Sequence, residues 1–150
     1  KIILVGLSMG AATVMMASDL VPPENVKGII ADCGFSSPAD ILKEVAAQMH
    51  YPVKPTYFFL RLGARIFGGF DPEEHSAVKS LRHTSIPVLF IHGENDDFVP
   101  CRMSWECHDA CASEKQIFTV KNAAHGTSYY LNTEGYGKTV SDFLDYVLNI

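Results

Sequence analysis

The chain has 150 residues, of which 47% are hydrophobic and 19% charged, and this composition predicts a folded domain rather than a disordered tail. Its 12 basic and 17 acidic side chains give a net charge of −5, which argues against nucleic acid or an anionic membrane as partner and favours a small neutral molecule. The longest apolar runs, such as 57–60 and 86–91, fall far short of the roughly 20 residues that cross a bilayer.

The first element is a short apolar run that leads directly into Gly6-Leu7-Ser8-Met9-Gly10, a match to the pattern G-x-S-x-G. Residues 2–5 are β-branched and unalternating, as in a strand buried on both faces, and the residues that follow the motif predict a helix. We therefore expect Ser8 in a strained strand-to-helix turn that exposes its hydroxyl, with glycines on either side that avoid collisions. The N–H of Met9 would face an oxyanion formed at Ser8. The alternative is a chance glycine-rich turn with an ordinary serine.

The next part of the chain predicts one strand and two helices. A proline-rich stop at 21–25 precedes a buried strand over 26–31, and Ser37 and Pro38 then begin an amphipathic helix as N-cap and first helical residue. Residues 51–55 are expected to break this helix before a second segment over 56–67. The many aromatic side chains of that segment indicate that residues 34–72 are an inserted helical lid over a pocket, the alternative being two ordinary sheet-covering helices.

The remaining elements alternate in type. Asp71 is predicted to cap a short helix that ends at Leu81, and a continuous apolar strand follows over 86–91. A helix over 101–112, a strand over 115–120 and a helix over 134–148 complete the chain. Because strands alternate with helices, the sequence predicts an α/β fold with a mainly parallel sheet of about four strands flanked by helices.

The four cysteines, Cys33, Cys101, Cys107 and Cys111, are too dispersed for a disulfide scaffold, which favours reduced thiols and a cytoplasmic location. Cys107-His108-x-x-Cys111 has the residue types of a metal site. Cysteines at this spacing on an amphipathic helix are more often small core residues, so no metal is expected there.

Three predicted strands end in groups suited to nucleophilic catalysis, namely Ser8, an acid in the loop after residue 91, and His125. A serine hydroxyl is a poor nucleophile at neutral pH, so it needs an imidazole to take its proton and a carboxylate to orient that imidazole. Because the strands are parallel, all three groups are expected at one edge of the sheet. Of the other histidines, His92 is expected to hydrogen-bond within the acid loop, and the rest to face solvent.

The elbow motif, the acid loop and the histidine loop, in this order, resemble the α/β-hydrolase family. The family sequence H-G-x-x-D-x-x-V-P matches residues 92–100 and implies that Asp96 is the acid, with Asp97 as its competitor, and the family histidine maps onto His125. The resemblance implies an esterase-like serine hydrolase for a small acyl substrate, with Ser8 as nucleophile, the Met9 N–H as one oxyanion donor and no cofactor. A serine peptidase or thioesterase of the same fold, and a non-catalytic binding or assembly fragment, are the alternatives.

The resemblance also implies a truncated α/β-hydrolase fold. Members of the family have strands before the elbow, and a loop among them supplies the second oxyanion donor, so residues 1–150 are expected to be the C-terminal part of a single domain. The start of the chain at Lys1, inside a strand, fits this expectation. The elbow strand would then expose an unpaired apolar edge, through which we expect a homo-oligomer to form.

Overall fold

Four parallel strands form the centre of the structure, a computed structural model that describes residues 1–20 and 24–149. The strands pair in chain order, β1-β2-β3-β4. Their bounds are Ile2–Leu7 (β1), Val26–Asp32 (β2), Val88–Gly93 (β3) and Lys115–Val120 (β4). The predicted parallel sheet of about four strands is thus confirmed. The predicted stop at 21–25 falls mainly on residues 21–23, which lie outside the described residues.

Seven α-helices are described, and they begin and end at Met9–Met16 (α1), Pro38–Gln48 (α2), Val53–Gly63 (α3), Ala77–Leu81 (α4), Arg102–Ala110 (α5), Ser128–Leu131 (α6) and Thr133–Leu148 (α7). A π-helical turn, Ala64–Gly68, continues α3. The single-turn helix α6 is absent from the sequence prediction, because four residues are too few for a helical period. Within the described ranges, none of the helices combines the length and apolarity needed to span a membrane.

The two faces of the sheet are covered by different helices. On β2 and β3, Ile29 and Phe90 pack with α1, α4 and α5 on one face, whereas Ile30 and Leu89 pack with α7 on the other. Successive side chains of a strand point to opposite faces, so strands covered on both sides read as continuous apolar runs. This two-sided burial explains why β2 and β3 were visible in the sequence.

Strand β1 lies at the edge of the sheet and differs from the prediction. Ile2, Val5 and Leu7 are all exposed, Val5 to 66%, so the expectation of a strand buried on both faces is wrong for β1. The reason is its position, since in the described residues β1 pairs with β2 alone. The expected apolar edge is present, and its backbone groups on the outer side are open to a partner.

Helices α2 and α3 begin where their prolines allow. Ser37 accepts a hydrogen bond from the N–H of Asp40 at 3.0 Å, which confirms its predicted role as N-cap. Helix α3 starts at Val53, so the break predicted to extend through residue 55 is wrong. Pro55 is the third residue of α3, and the first turn of a helix has no intrahelical acceptors for its N–H groups, so proline loses no hydrogen bond there.

The N-cap predicted at Asp71 is wrong. Helix α4 begins at Ala77, and the capping side chain is that of Ser76, which accepts from the N–H of Lys79 at 3.1 Å. Asp71 instead accepts two hydrogen bonds from Arg61, at 2.8 and 2.7 Å. This pairing with Arg61 lowers the pKa of Asp71 to about 2. The carboxylate therefore ties α3 to the turn before α4.

The two glycines beside Ser8 have different surroundings. A Cβ on Gly6 would lie 2.3 Å from backbone atoms of Gly10, whereas a Cβ on Gly10 would meet nothing within 4 Å among the described residues beyond the backbone of its own helix and its chain neighbours. The expectation that both glycines avoid collisions is confirmed for Gly6 and wrong for Gly10. Strand β1 and helix α1 can meet at this sharp angle only because Gly6 has no side chain.

We predict that Gly6→Ala lowers the free energy of unfolding by about 1–3 kcal/mol or more, because the added methyl group forces the backbone at Gly10 to move. The matched change Gly10→Ala is expected to be neutral or to stabilise by up to about 1 kcal/mol, as alanine does in helices. Urea unfolding of both variants measures the difference. Equal losses in the two variants would contradict the close approach at Gly6.

Candidate active site

Ser8 lies in the turn between β1 and α1, with backbone angles φ 54° and ψ −116°. A positive φ is strained for a residue with a side chain, so the strained turn predicted from the sequence is confirmed. The N–H of Ser8 donates to the carbonyl of Asp32 at 2.8 Å, which fixes the turn against β2. Its hydroxyl makes no capping bond to α1 and is free to face other groups.

The structure brings the three candidate side chains together in one line of hydrogen bonds. His125 Nε2 is 2.9 Å from Ser8 Oγ, and His125 Nδ1 is 2.7 Å from Asp96 Oδ2. Each residue follows the carboxyl end of a different parallel strand, β1, β3 or β4. The arrangement joins a hydroxyl, an imidazole and a carboxylate in the order that activates a serine.

Asp96 is a buried carboxylate that remains ionised. Its Oδ1 accepts the N–H groups of Phe98 at 3.0 Å and Val99 at 2.8 Å, and its Oδ2 lies 2.7 Å from His125 and 3.2 Å from His92. Burial opposes ionisation, but the hydrogen bonds from His92, His125 and Val99 outweigh it and hold the pKa of Asp96 below its usual range. At neutral pH the Asp96 carboxylate therefore accepts a hydrogen bond from the protonated Nδ1 of His125.

Asp97 is exposed, and no hydrogen bond joins its side chain to His125 in the described residues. Its backbone carbonyl accepts a hydrogen bond from Gln48 Nε2 at 2.8 Å, and Gln48 also donates to the carbonyl of Phe98 at 3.2 Å. Of the two neighbouring acids, Asp96 alone contacts His125 in the described residues.

His92 lies in β3, next to the acid loop, and is fully buried. Its Nε2 is 2.8 Å from the carbonyl of Val99, and its Nδ1 is 2.6 Å from Ser104 Oγ. Since a carbonyl only accepts, Nε2 carries the proton and Nδ1 accepts from the serine hydroxyl. The expected hydrogen bond to the acid loop is confirmed. It stabilises the backbone of the loop that contains Asp96.

The loops that carry Asp96 and His125 are joined through their backbones. The N–H of Glu94 donates to the carbonyl of Val120 at 2.9 Å, and the N–H of Asn95 donates to that of Ala123 at 3.0 Å. A Cβ on Gly93 would lie 2.3 Å from the Ala123 carbonyl oxygen. The glycine of the H-G pair therefore permits the contact that sets the distance between acid and imidazole.

The cysteines and the histidine of Cys107-His108-x-x-Cys111, at the end of α5, lie in different surroundings. Cys107 and Cys111 are buried in the hydrophobic core, which confirms their predicted packing role. His108 is only 20% exposed and packs edge-on against Phe90, so the expectation that it faces solvent is wrong, whereas His50, His75 and His83 are exposed as expected.

Cys33 is a neighbour of the site that the sequence did not reveal. It follows β2, is fully buried, has φ 46°, and its sulfur lies within 4.8 Å of an Asp96 carboxylate oxygen and a His125 ring nitrogen. Burial, with a smaller effect of Asp32, raises the pKa of Cys33 to about 12. At neutral pH the residue is a thiol and not a competing nucleophile. Its only sequence signal is its position at the end of a strand.

Asp32, also at the end of β2, joins the serine turn to helix α7. Its backbone carbonyl accepts from Ser8, and its Oδ2 accepts a hydrogen bond from the hydroxyl of Tyr136 at 3.1 Å. Burial raises the pKa of Asp32, against the opposing effect of Tyr136. The pair connects the two ends of the described chain beside the site.

The first N–H of helix α1 is the oxyanion donor suggested by the sequence. Met9 is the first residue of α1 and directly follows Ser8. The opening N–H groups of a helix have no partners within it, and they carry the positive end of the helix dipole. This N–H is thus placed beside the serine.

Comparison with known proteins extends this geometry. The chain is 30% identical over 145 residues to the protein YqkD of Bacillus subtilis, which covers 93% of this chain and 46% of that protein. The acylaminoacyl peptidase of Pyrococcus horikoshii superposes with a TM-score of 0.70 at 19% identity, over 99% of this chain and 24% of that one. An esterase of Pyrococcus furiosus gives 0.69 at 17% identity, over 99% of this chain and 54% of that one.

The chain therefore spans about half or less of the length of these proteins. The structural likeness shows the α/β-hydrolase fold, as the sequence resemblance predicted. Residues 3–126, a range that contains Ser8, Asp96 and His125, match the family described as serine hydrolase (FSH1). The chain belongs to the FSH1 serine hydrolase family.

Proposed function

We propose that this protein hydrolyses carboxylic esters, or closely related acyl bonds, through Ser8, His125 and Asp96. The observation that carries the proposal is the continuous hydrogen bonding from Ser8 Oγ to His125 and from His125 to Asp96, at 2.9 and 2.7 Å. Membership of a serine hydrolase family supports it. The reaction assigned to these residues needs neither a metal nor an organic cofactor.

In the proposed reaction, Ser8 Oγ attacks the acyl carbonyl while its proton passes to His125 Nε2. Asp96 stabilises the imidazolium and holds the tautomer in which Nδ1 bears a proton. His125 then gives its proton to the leaving alcohol, which leaves an acyl group on Ser8. Water releases this acyl group with His125 as general base, and the proton returns to Ser8.

The N–H of Met9 is proposed as one donor to the oxyanion that forms during both steps. Loss of one such donor costs about 10²–10³ in rate, so a serine hydrolase normally needs two. We propose that residues 1–150 are the C-terminal portion of a single α/β-hydrolase domain. The second oxyanion donor would then come from the other portion of that domain. The chain's coverage of 46% and 54% of two related proteins supports this arrangement.

We propose that residues 34–72 form the lid over the acyl group of the substrate. Helix α3 has no buried residue, and Phe58, Phe59 and Phe67 are exposed to 61%, 67% and 91%. Gln48, at the end of α2, binds the acid loop through two backbone carbonyls. The lid would thus bring an apolar surface close to the site, which favours an apolar acyl group.

We further propose a cytoplasmic location, which is supported by the four free cysteines.

Labelling with a fluorophosphonate tests the nucleophile. Ser8→Ala is expected to abolish the covalent adduct, whereas Cys33→Ala and Cys101→Ala remain labelled, because the partly exposed hydroxyl of Ser8 is hydrogen-bonded to the imidazole of His125. Mass spectrometry of the labelled peptide gives the position. An adduct that survives Ser8→Ala would refute the assignment, and labelling without ester, thioester or peptide turnover would favour the binding or assembly fragment.

Paired substitutions test the acid. Asp96→Asn is expected to lower kcat for a p-nitrophenyl ester on the order of 10³–10⁴-fold, because an amide can stabilise the wrong imidazole tautomer. Asp97→Asn, the matched control on the adjacent exposed carboxylate, should change kcat by less than about threefold. Steady-state hydrolysis assays measure kcat for both variants. The opposite ranking would move the acid to Asp97.

We propose that the isolated chain of residues 1–150 forms a homo-oligomer through the outer edge of β1, and sedimentation velocity at micromolar concentration tests this. Val5→Lys is expected to shift the protein towards monomer, because a lysine on an open strand opposes edge pairing. Phe67→Lys, which removes an even more exposed apolar side chain far from β1 in the sequence, should leave the association unchanged. A wild-type monomer, or dissociation by Phe67→Lys alone, would contradict the proposal.

A further inference from the structure

Cys33, Asp96 and His125 bring three different metal-binding atoms to one point. The cysteine sulfur, a carboxylate oxygen and a ring nitrogen all lie within 4.8 Å of one another, and within residues 1–20 and 24–149 this is the one cluster of its kind. Cys33 and Asp96 are buried, while the side chain of His125 is 26% exposed and gives access from solvent. Bonds of about 2.0–2.3 Å to zinc place ligands about 3–4 Å apart, so the cluster needs adjustments of up to about 1–2 Å.

We propose that this cluster is an inhibitory site for a soft divalent cation of the Zn²⁺ or Cd²⁺ class. A thiolate, an imidazole and a carboxylate are the donors that zinc prefers, and three protein ligands leave a fourth position for water. As the metal–sulfur bond forms, the thiol proton of Cys33 leaves to solvent, because a coordinating thiol is deprotonated by the cation. No electron transfer is involved.

Occupation of this site is incompatible with the hydrogen bonding of the proposed active site. If the cation binds His125 Nδ1, the bond to Asp96 is lost, and if it binds Nε2, the nitrogen that would take the proton of Ser8 is blocked. Either geometry also draws on the carboxylate of Asp96. The cation therefore inhibits the reaction and takes no part in it. Only this inhibitory consequence rests on the proposed function, whereas the binding site does not.

The other cysteines provide matched controls. Cys107 and Cys111 are buried in the hydrophobic core and are not members of this cluster. Cys101 is partly exposed, and it is therefore more accessible to a metal ion than Cys33. If accessibility alone determined binding, Cys101 would be the site.

Titration with Cd²⁺ tests the site directly, because cadmium thiolates have a charge-transfer absorbance in the ultraviolet that is independent of activity. The wild-type protein should bind one Cd²⁺ with this absorbance, Cys33→Ser should lose the band, and Cys101→Ser should keep it. His125→Gln, which changes the partly exposed ligand, should weaken the binding of Cd²⁺, while the absorbance band persists at saturating Cd²⁺. Circular dichroism verifies that each variant is folded.

The rate of fluorophosphonate labelling then reports inhibition. Cd²⁺ should slow labelling of Ser8 in the wild type, and a chelator should restore it, whereas labelling of Cys33→Ser should not respond to the cation. A wild type without the band, a band that persists in Cys33→Ser, or unchanged affinity in His125→Gln would overturn the site. A normal Cd²⁺ band with undiminished labelling would overturn the inhibition. If the band is normal but Ser8 is never labelled, the metal site is supported and the proposed hydrolase function fails.

Discussion

The bond between Asp96 and His125 depends on a carboxylate that stays ionised inside the protein. An isolated buried charge would be costly, but Asp96 is surrounded by donors, namely two backbone N–H groups and the rings of His92 and His125. These donors more than offset the effect of burial on its pKa. Since both His92 and the backbone donors belong to residues 92–99, the end of β3 and the loop that follows it contain most of what the acid requires.

The parallel sheet sets the distances between Ser8, His125 and Asp96, and two close backbone contacts make these distances possible. Ser8 is held in a strained turn because Gly6 lets the first turn of α1 approach β1, and the histidine loop reaches the acid loop because Gly93 leaves room for Ala123. The two glycines thus position side chains that they do not contact. In both cases a Cβ would overlap backbone, which cannot move as the end of a flexible side chain can.

The sequence predicted those parts of the fold that depend on local pattern. All four strands were identified in the sequence, most plainly β3 with its continuous apolar run, and three loops at strand ends supplied Ser8, Asp96 and His125. Two of the wrong predictions concern tertiary context: Asp71 is paired with Arg61 instead of capping a helix, and β1 is exposed because of its place in the sheet. Cys33 could not be placed beside Asp96 because its position depends on the register between β2 and β3, in which Asp32 pairs with Ile91.

The tautomer of His125 is the most direct test of the proposed roles of Ser8, His125 and Asp96. Nitrogen-15 NMR of the histidine rings, with His125 assigned by the signals that disappear in His125→Gln, identifies which nitrogen bears the proton in the neutral ring. We expect a proton on Nδ1, at low field because it is hydrogen-bonded to the Asp96 carboxylate, and an unprotonated Nε2 ready to accept from Ser8. A neutral ring protonated on Nε2 would contradict these roles, because His125 would then have no acceptor for the serine proton.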